Sequence, residues 1–199
     1  KICGISDKSC MVTALECKVD YIGLVFYEKS PRNITIENSK KLLDNRNKFS
    51  KIVALTVDPD DNFIENLKKN IKPDYIQLHG SETPQRCKEI RTNFDIPIIK
   101  GVGIKNRLDL IKANEQYGNF CDILLLDSPS KTLPGGNGEK FDWKILKNYK
   151  SPKKWMLAGG LNIDNIYKAV KISNPPAIDV SSGVEISKGI KEPYMIKDF

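Results

Sequence analysis

The sequence has a single histidine, His79, and its five cysteines include no Cys-x-x-Cys pair. Zinc sites need Cys and His ligands at short, characteristic spacings, so this shortage argues against a metal site. The odd number of cysteines argues equally against a disulfide framework. Thiols that stay reduced in the cytosol are the simplest interpretation, and we therefore expect a cytoplasmic protein.

Long apolar segments and dense basic runs are also missing. No apolar stretch approaches the ~20 residues of a membrane-spanning helix, and no signal peptide is recognisable. The net charge is +7, but the lysines are scattered and do not alternate with aromatic residues. This pattern is typical of a solvated surface, and it would also attract an anionic substrate. We expect neither a membrane nor a nucleic acid as a partner.

Short apolar runs alternate strictly with helix-like segments along the chain. With 199 residues and 40% hydrophobic residues, the chain suits one domain with a substantial core. Helix-like segments separate the apolar runs, with breakers such as Asp58-Pro59 at the boundaries. The eight predicted strands are 1–5, 20–26, 51–57, 75–78, 96–102, 123–127, 155–158 and 177–180.

This alternation implies a parallel sheet with right-handed crossovers. Eight repeats in about 200 residues predict an α/β fold, a single-domain (βα)8 TIM barrel over residues 1–199, near the lower size limit of that fold. A doubly wound open sheet is the alternative, although five or six strands would be more typical of it. No Gly-x-Gly-x-x-Gly fingerprint follows the first strand, and no linker marks a second domain.

A barrel gathers the carboxyl ends of its strands around one cavity, where ligands bind. We therefore expect the residues at these ends to face one another. They are Cys3, Arg32, Asp58, His79, Gly101, Asp127, Gly159, Gly160, Ser181, Ser182 and Gly183.

The apolar run 123–126 ends at Asp127, and the glycine-rich segment SPSKTLPGGNG follows it. An aspartate at the mouth of a sheet could be a general acid, or it could simply cap the loop, and the sequence leaves both open. The segment after it can move over a bound ligand. We take Asp127 as the residue around which the other candidates are organised.

Two late loops carry small residues, Gly159-Gly160 and Ser181-Ser182-Gly183. Small residues let the backbone approach a ligand, and amide groups at a short helix start point at an anion. Barrels often bind phosphate at this corner. Each pair could be merely a turn, but two such turns after consecutive strands favour a phosphate site.

Three further candidates stay open on the residues alone. Cys3 could be a base if its thiolate is stabilised, but a buried core cysteine is the favoured interpretation. Arg32 could grip a carboxylate with its planar fork, although an exposed arginine without a role is favoured. His79 could line the cavity or bond the backbone, and the sequence does not decide.

Taken together, seven segments of the chain resemble the phosphoribosylanthranilate isomerases of tryptophan biosynthesis. The resemblance covers nearly the whole chain, in the order KICGI, DYIGLVFYEKSPRNI, IQLHG, LLLDS, PGGNG-x-x-FDW, AGGLN and DVSSGVE. It implies a (βα)8 barrel that needs no metal or organic cofactor. It also implies an Amadori rearrangement of N-(5-phosphoribosyl)anthranilate to 1-(2-carboxyphenylamino)-1-deoxyribulose 5-phosphate.

The resemblance also implies roles for single residues. By it, Cys3 is the general base, Asp127 is the general acid and Arg32 binds the anthranilate carboxylate. Asp179 is expected near the sugar. The loop 134–138 has asparagine where a small Thr or Ser is more often expected, and the family usually continues beyond the position of Phe199. The implied phosphate site consists of Gly159, Gly160, Ser182 and Gly183.

Other functions remain as alternatives. The related isomerase of the histidine pathway uses an aspartate where Cys3 stands, and a bifunctional relative would need a second glycine-rich phosphate turn in the early half. Outside enzymes, the chain could be a catalytically silent phosphosugar-binding protein. Retention of both Cys3 and Asp127 speaks against that alternative. We expect an enzyme with a small-molecule phosphosugar substrate, as a monomer or homodimer.

Overall fold

A computed structural model describes residues 1–44, 46, 48–129 and 142–199. The predicted loop segment 134–138 lies outside the described residues. Seven parallel strands pair in chain order, so each strand neighbours the next one along the sequence. Their bounds are β1 Ile2–Cys3, β2 Tyr21–Val25, β3 Lys51–Thr56, β4 Tyr75–Leu78, β5 Ile98–Gly103, β6 Ile123–Asp127 and β7 Lys154–Leu157.

The predicted eighth strand, 177–180, is reduced to two isolated parallel bridges. Ile178 bridges Leu157 of β7, and Val180 bridges Ile2 of β1. The prolines at 175 and 176 lack backbone N–H groups and directly precede this segment, which limits regular pairing. The segment still joins the last strand of the sheet to the first. The predicted barrel is therefore confirmed, with an eighth strand shorter than expected.

Helices lie between successive strands, and most begin where a side-chain cap was available. Asp7, Thr35 and Thr83 each accept a hydrogen bond from a backbone amide in the first turn of the following helix. The bounds are α1 Lys8–Glu16, α2 Ile36–Leu43, α3 Asp61–Asn70, α4 Pro84–Phe94, α5 Arg107–Tyr117, α6 Ile166–Ser173 and α7 Pro193–Asp198. No described helix is long and apolar enough to cross a membrane.

The sequence pattern also predicts a helix from Asn162, but α6 starts later, at Ile166. The Asn165 side chain accepts from the Asn162 amide at 3.0 Å and donates to the Gly160 carbonyl at 2.9 Å, so these residues form a turn. The pattern predicts a further short helix from Asp142, and the structure has a 3-10 helix there, Trp143–Leu146. Beyond the closing segment, β8 Glu185–Ser187 and β9 Ile190–Lys191 form an antiparallel hairpin that the sequence pattern did not reveal.

The inner face of the sheet is apolar first and polar later along the strands. Because strand side chains alternate, Ile123, Leu125 and Asp127 of β6 lie on one face. The apolar members of this face form their own buried cluster, separate from the larger core between sheet and helices. The cluster consists of Val53, Ile99, Ile123, Leu125, Met156 and Ala158. Polar groups therefore gather at the carboxyl ends of the strands.

Candidate active site

Three adjoining cavities lie at the carboxyl ends of the strands, and Asp127 lines all of them. The thiol cavity, of about 40 Å³, includes Cys3, Arg32, His79, Asp127 and Asp179 in its lining. The open cavity, of about 420 Å³, includes Tyr27, Asp58, His79, Gly101 and Asp127. The glycine cavity, of about 30 Å³, includes Asp127, Gly159, Gly160, Asp179 and Ser182.

Cys3 ends β1 and is buried, yet it lines the thiol cavity. Gly23 is its partner on β2, and a Cβ atom at Gly23 would lie 2.9 Å from the Cys3 Sγ atom. A glycine is therefore needed there to leave room for the sulfur. Burial raises the pKa of the Cys3 thiol, although the charges of Lys1 and Lys191 oppose this rise. The thiol is thus the resting form.

A buried ion pair lies beside Cys3. The Lys1 Nζ atom donates to Asp179 Oδ1 at 2.9 Å, and the Lys1 charge lowers the pKa of the Cys3 thiol. Asp179 was expected near the sugar; it lines the thiol and glycine cavities while it holds Lys1. Sequence reasoning missed Lys1. The available signal was its place two residues before Cys3, which puts both side chains on one face of the strand.

Asp127 is a loop cap and also a cavity residue. Its Oδ1 atom accepts from the Ser128 amide at 2.7 Å and from the Ser128 hydroxyl at 3.3 Å. Its Oδ2 atom lies 3.4 Å from His79 Nε2. One carboxylate oxygen thus fixes the start of the loop, while the other faces the imidazole. Of the two interpretations open from the sequence, the capping role is confirmed.

His79 is held from its other side by Gln77, two residues earlier on the inner face of the sheet. The Gln77 Nε2 and His79 Nδ1 atoms lie 2.8 Å apart. An amide nitrogen can only donate, so this assignment of the amide leaves the ring proton on Nε2, towards Asp127. A Cβ atom at Gly101 would lie 2.6 Å from His79 Nδ1, so β5 makes room for the ring. Gln77 was not among the sequence candidates.

Arg32 is buried, so the expectation of an exposed arginine is wrong. Its Nε and Nη2 atoms donate to the two carboxylate oxygens of Glu185 at 2.7 and 2.9 Å. This is the planar, bidentate geometry predicted for a ligand carboxylate, but here the carboxylate belongs to the protein. Arg32 nevertheless lines the thiol cavity. Its role in binding the substrate carboxylate stays a prediction.

Glu185 is the centre of a buried network that reaches back to Cys3. Lys191 Nζ donates to Glu185 at 3.0 Å and to the Ser181 carbonyl at 3.0 Å. The Ser181 hydroxyl in turn donates to the Cys3 carbonyl at 2.9 Å. Burial alone would raise the pKa of the Glu185 carboxyl, but Arg32 and Lys191 hold it below its ordinary value. The β8–β9 hairpin therefore stabilises the side of the thiol cavity that contains Arg32 and Ser181.

The glycine cavity brings both late loops together. Gly159 and Gly160 have φ angles of +88° and +62°, which favour glycine. A Cβ atom at Gly159 would lie 2.7 Å from the Ser128 amide nitrogen and 3.2 Å from Asp127 Oδ1. Gly183, whose phosphate contact stays a prediction, packs so closely that an added Cβ would overlap the Leu161 carbonyl. Because Gly183 has no side chain, the two late loops can pack against each other at this point.

The remaining strand-end candidate, Asp58, lines the open cavity with its carboxylate engaged locally. Its Oδ1 atom accepts from the Ser81 amide at 2.8 Å and from the Ser81 hydroxyl at 3.1 Å. Within the described ranges, no group of three or more His, Cys, Asp or Glu residues could hold a metal ion. The site therefore contains a thiol and a carboxyl group that face one cavity, and loops of small residues lie next to it.

Comparison with known proteins identifies relatives along the whole chain. The family model for N-(5'phosphoribosyl)anthranilate (PRA) isomerase matches residues 1–199. The N-(5'-phosphoribosyl)anthranilate isomerases of Paramagnetospirillum magneticum and Paracoccus denitrificans are 44% and 39% identical to this chain. These alignments cover 100% of this chain and 94% of each relative.

Solved structures agree with the sequence comparison. Phosphoribosyl anthranilate isomerase from Thermotoga maritima has a TM-score of 0.89 at 33% identity, and the match covers 100% of this chain and 94% of that one. A second structure, with a TM-score of 0.83 and 31% identity over the same shares, is the isomerase in complex with reduced 1-(o-carboxyphenylamino)-1-deoxyribulose 5-phosphate.

Proposed function

The chain belongs to the N-(5'-phosphoribosyl)anthranilate isomerase family, and from that premise we propose that Cys3 and Asp127 are its general base and general acid. The enzyme catalyses an Amadori rearrangement, in which N-(5-phosphoribosyl)anthranilate becomes 1-(2-carboxyphenylamino)-1-deoxyribulose 5-phosphate, in L-tryptophan biosynthesis. One observation carries the assignment of roles. Cys3 on β1 and Asp127 on β6 line the same cavity from opposite parts of the barrel.

The first step is opening of the ribose ring. The Asp127 carboxyl group gives its proton to the ring oxygen, the C1–O bond breaks, and the anthranilate nitrogen lone pair forms an iminium ion. A proton must therefore be present on Asp127 when the substrate is bound. His79 Nε2 lies 3.4 Å from Asp127 Oδ2, so the imidazole is placed to orient this carboxyl group.

The second step is removal of the C2 proton. The iminium ion makes this C–H bond acidic, and the Cys3 thiolate takes the proton. The electron pair of the bond forms the enolamine, which tautomerises to the ketone. A thiol with a raised pKa is a strong base once ionised, although its ionised fraction at neutral pH is small. Both steps are proton transfers, which this proposal assigns to protein side chains without a metal or organic cofactor.

Two binding ends would orient the substrate between acid and base. We place the phosphate in the glycine cavity, at Gly159, Gly160 and Ser182, and the anthranilate carboxylate at Arg32. The small residues and positive φ angles support the first placement, and the position of Arg32 in the thiol cavity supports the second. Glu185 already occupies two Arg32 donors, so the substrate carboxylate would share the guanidinium with it. Holding both ends lowers the entropic cost of reaction.

We further propose one catalytic domain over residues 1–199, acting in the cytoplasm as a monomer or homodimer. The family match over 1–199 supports the domain, and five free cysteines suit a reducing compartment. A solved relative from Thermotoga maritima is described as dimeric, with engineered monomers obtained from it. Sedimentation of the purified chain across a range of concentrations would decide between the two states.

The test is a fluorescence assay on freshly generated N-(5-phosphoribosyl)anthranilate, comparing the wild type with Asp127→Asn. The amide keeps the shape of the carboxyl group but cannot supply the proton. We expect turnover by the wild type and a loss of about 100-fold or more in kcat for the variant. Near-normal kcat in a folded Asp127→Asn variant would overturn the role of the acid.

A further inference from the structure

Lys1 and Asp179 form a buried ion pair, and Asp179 lines the same cavity as the proposed base, Cys3. We propose that Lys1 is a positioning residue that increases the thiolate fraction of Cys3, and that Asp179 holds the Lys1 ammonium group in place. This inference rests on the proposed function of Cys3. The two proton-transfer steps do not use Lys1, and the inference gives this buried lysine a role in the reaction.

The backbone fixes this arrangement. The Val180 amide donates to the Lys1 carbonyl at 3.0 Å, and the Cys3 amide donates to the Val180 carbonyl at 2.8 Å. Residues 1 and 3 are therefore tied to the same residue of the closing segment, next to Asp179. Since Lys1 and Cys3 are two apart, both side chains project from the same face of the strand, towards the Asp179 carboxylate.

Several charged or titratable groups surround Cys3, and the Lys1 charge is the one that lowers the pKa of its thiol most. Lys191 points to Glu185 and to the Ser181 carbonyl, and the Arg32 fork points to Glu185 as well. The groups that face Cys3 or share its cavity are Lys1, Tyr27, Arg32, His79, Asp127, Asp179 and Lys191.

The directions in which the neighbouring groups shift the pKa of Cys3 agree with the role proposed for Lys1. Burial raises the pKa of the Cys3 thiol, Lys1 lowers it, and Asp179 raises it to a lesser degree than Lys1 lowers it. For Lys1 itself, burial lowers the pKa, but Asp179 and Cys3 together more than offset this and leave it raised. The pKa of Lys1 therefore lies above its ordinary value, and loss of the Lys1 charge would leave Cys3 protonated to a higher pH.

The experiment measures alkylation of Cys3 by iodoacetamide in the free protein as a function of pH, with the Cys3 peptide quantified by mass spectrometry. Only the thiolate reacts, so the midpoint reports ionisation without any substrate. Lys1→Met should move the midpoint to higher pH by about one unit. At a pH below the midpoint, this shift corresponds to a thiolate fraction about tenfold smaller than in the wild type. Asp179→Asn retains an acceptor oxygen for Lys1 but loses the charge, and it should move the midpoint to lower pH.

The buried pair Lys100–Glu82 supplies matched controls. Lys100 Nζ lies 2.9 Å from Glu82 Oε2, and both side chains are almost fully buried. Lys100→Met and Glu82→Gln remove one charge each from a buried pair, as the test variants do, but away from Cys3. Both should leave the alkylation midpoint unchanged. A midpoint that does not move in Lys1→Met, or that moves equally in Lys100→Met, overturns the inference.

Kinetics complete the test and separate this inference from the proposed function. The limb of the kcat/KM profile that reports Cys3 should move to higher pH in Lys1→Met and to lower pH in Asp179→Asn, whereas a purely structural pair would lower activity in both variants without opposite shifts. If Lys1→Met does not fold, the double variant Lys1→Met/Asp179→Asn, which leaves no buried unpaired charge, should still titrate at higher pH than wild type. Normal turnover by Cys3→Ser would instead reject the proposed base, while the alkylation midpoints still decide the effect of Lys1.

Discussion

His79 Nε2 lies 3.4 Å from Asp127 Oδ2, although His79 follows β4, Asp127 ends β6, and β5 lies between these strands. The approach is possible because β5 carries Gly101 between them, where a Cβ atom would lie 2.6 Å from His79 Nδ1. The proposed acid therefore has an imidazole neighbour, which the sequence left undecided. The predictions below concern this pair and the groups around it.

We expect His79→Ala to lower kcat by about tenfold with little change in KM, because His79 acts on Asp127 rather than on substrate affinity. Steady-state kinetics of the two parameters checks this. Gln77→Ala, which removes only the neighbour that orients the ring, should lower kcat less. A rise in KM with kcat unchanged in His79→Ala would contradict the prediction and assign His79 to binding.

We expect alkylation of Cys3 in the wild type to rise with pH across the neutral range, since the thiolate fraction grows tenfold per unit below the pKa. Burial places the pKa of the Cys3 thiol above its ordinary value of 9.0, so the rise should continue beyond it. A flat alkylation rate between about pH 7 and pH 9 would contradict the raised pKa. Cys3→Ser should fold normally and lose about 100-fold or more in kcat, because an alcohol is a far poorer base.

We expect Arg32→Ala to raise KM more than it lowers kcat, because the carboxylate contact exists in the ground and transition states alike. The variant should also lose stability, up to about 3 kcal/mol, since it leaves Glu185 buried with one ion-pair partner fewer. Thermal unfolding measures the second effect. Glu185→Gln separates the two, because it disrupts the ion pair while it retains Arg32; an unchanged KM in Arg32→Ala would reject the carboxylate contact.

We expect Gly159→Ala to lower both stability and activity. Its φ of +88° strains any other residue, and the new Cβ would lie 2.7 Å from the Ser128 amide nitrogen that Asp127 binds. A raised KM and a lowered kcat would both follow, since the phosphate loop and the acid move together. Steady-state kinetics and thermal unfolding measure the two effects. A loss of thermal stability with unchanged KM and kcat would contradict the coupling.

Local patterns determined most of the secondary structure. The helices that begin after Asp7, Thr35 and Thr83 start where a side chain could accept from the first-turn amides, and this capping depends only on neighbouring residues. The sequence also placed the candidate acid and base at strand ends. Errors occurred where the side chain of a turn residue competes with a helix, as at Asn165, and where proline removes donors, as before segment 177–180.

By itself, the sequence determined the eight-fold alternation, the family resemblance and the positions of Cys3, Asp127 and the late glycines at strand ends. These follow from periodicity and breakers, which act within a few residues. The tertiary structure alone decided the partners of the buried charges. Lys1 meets Asp179 across 178 residues, and Arg32 meets Glu185 across 153. Burial makes pairing of a charge necessary, but the sequence does not specify which residue will be the partner. Closure of the barrel brings the two residues of each pair together.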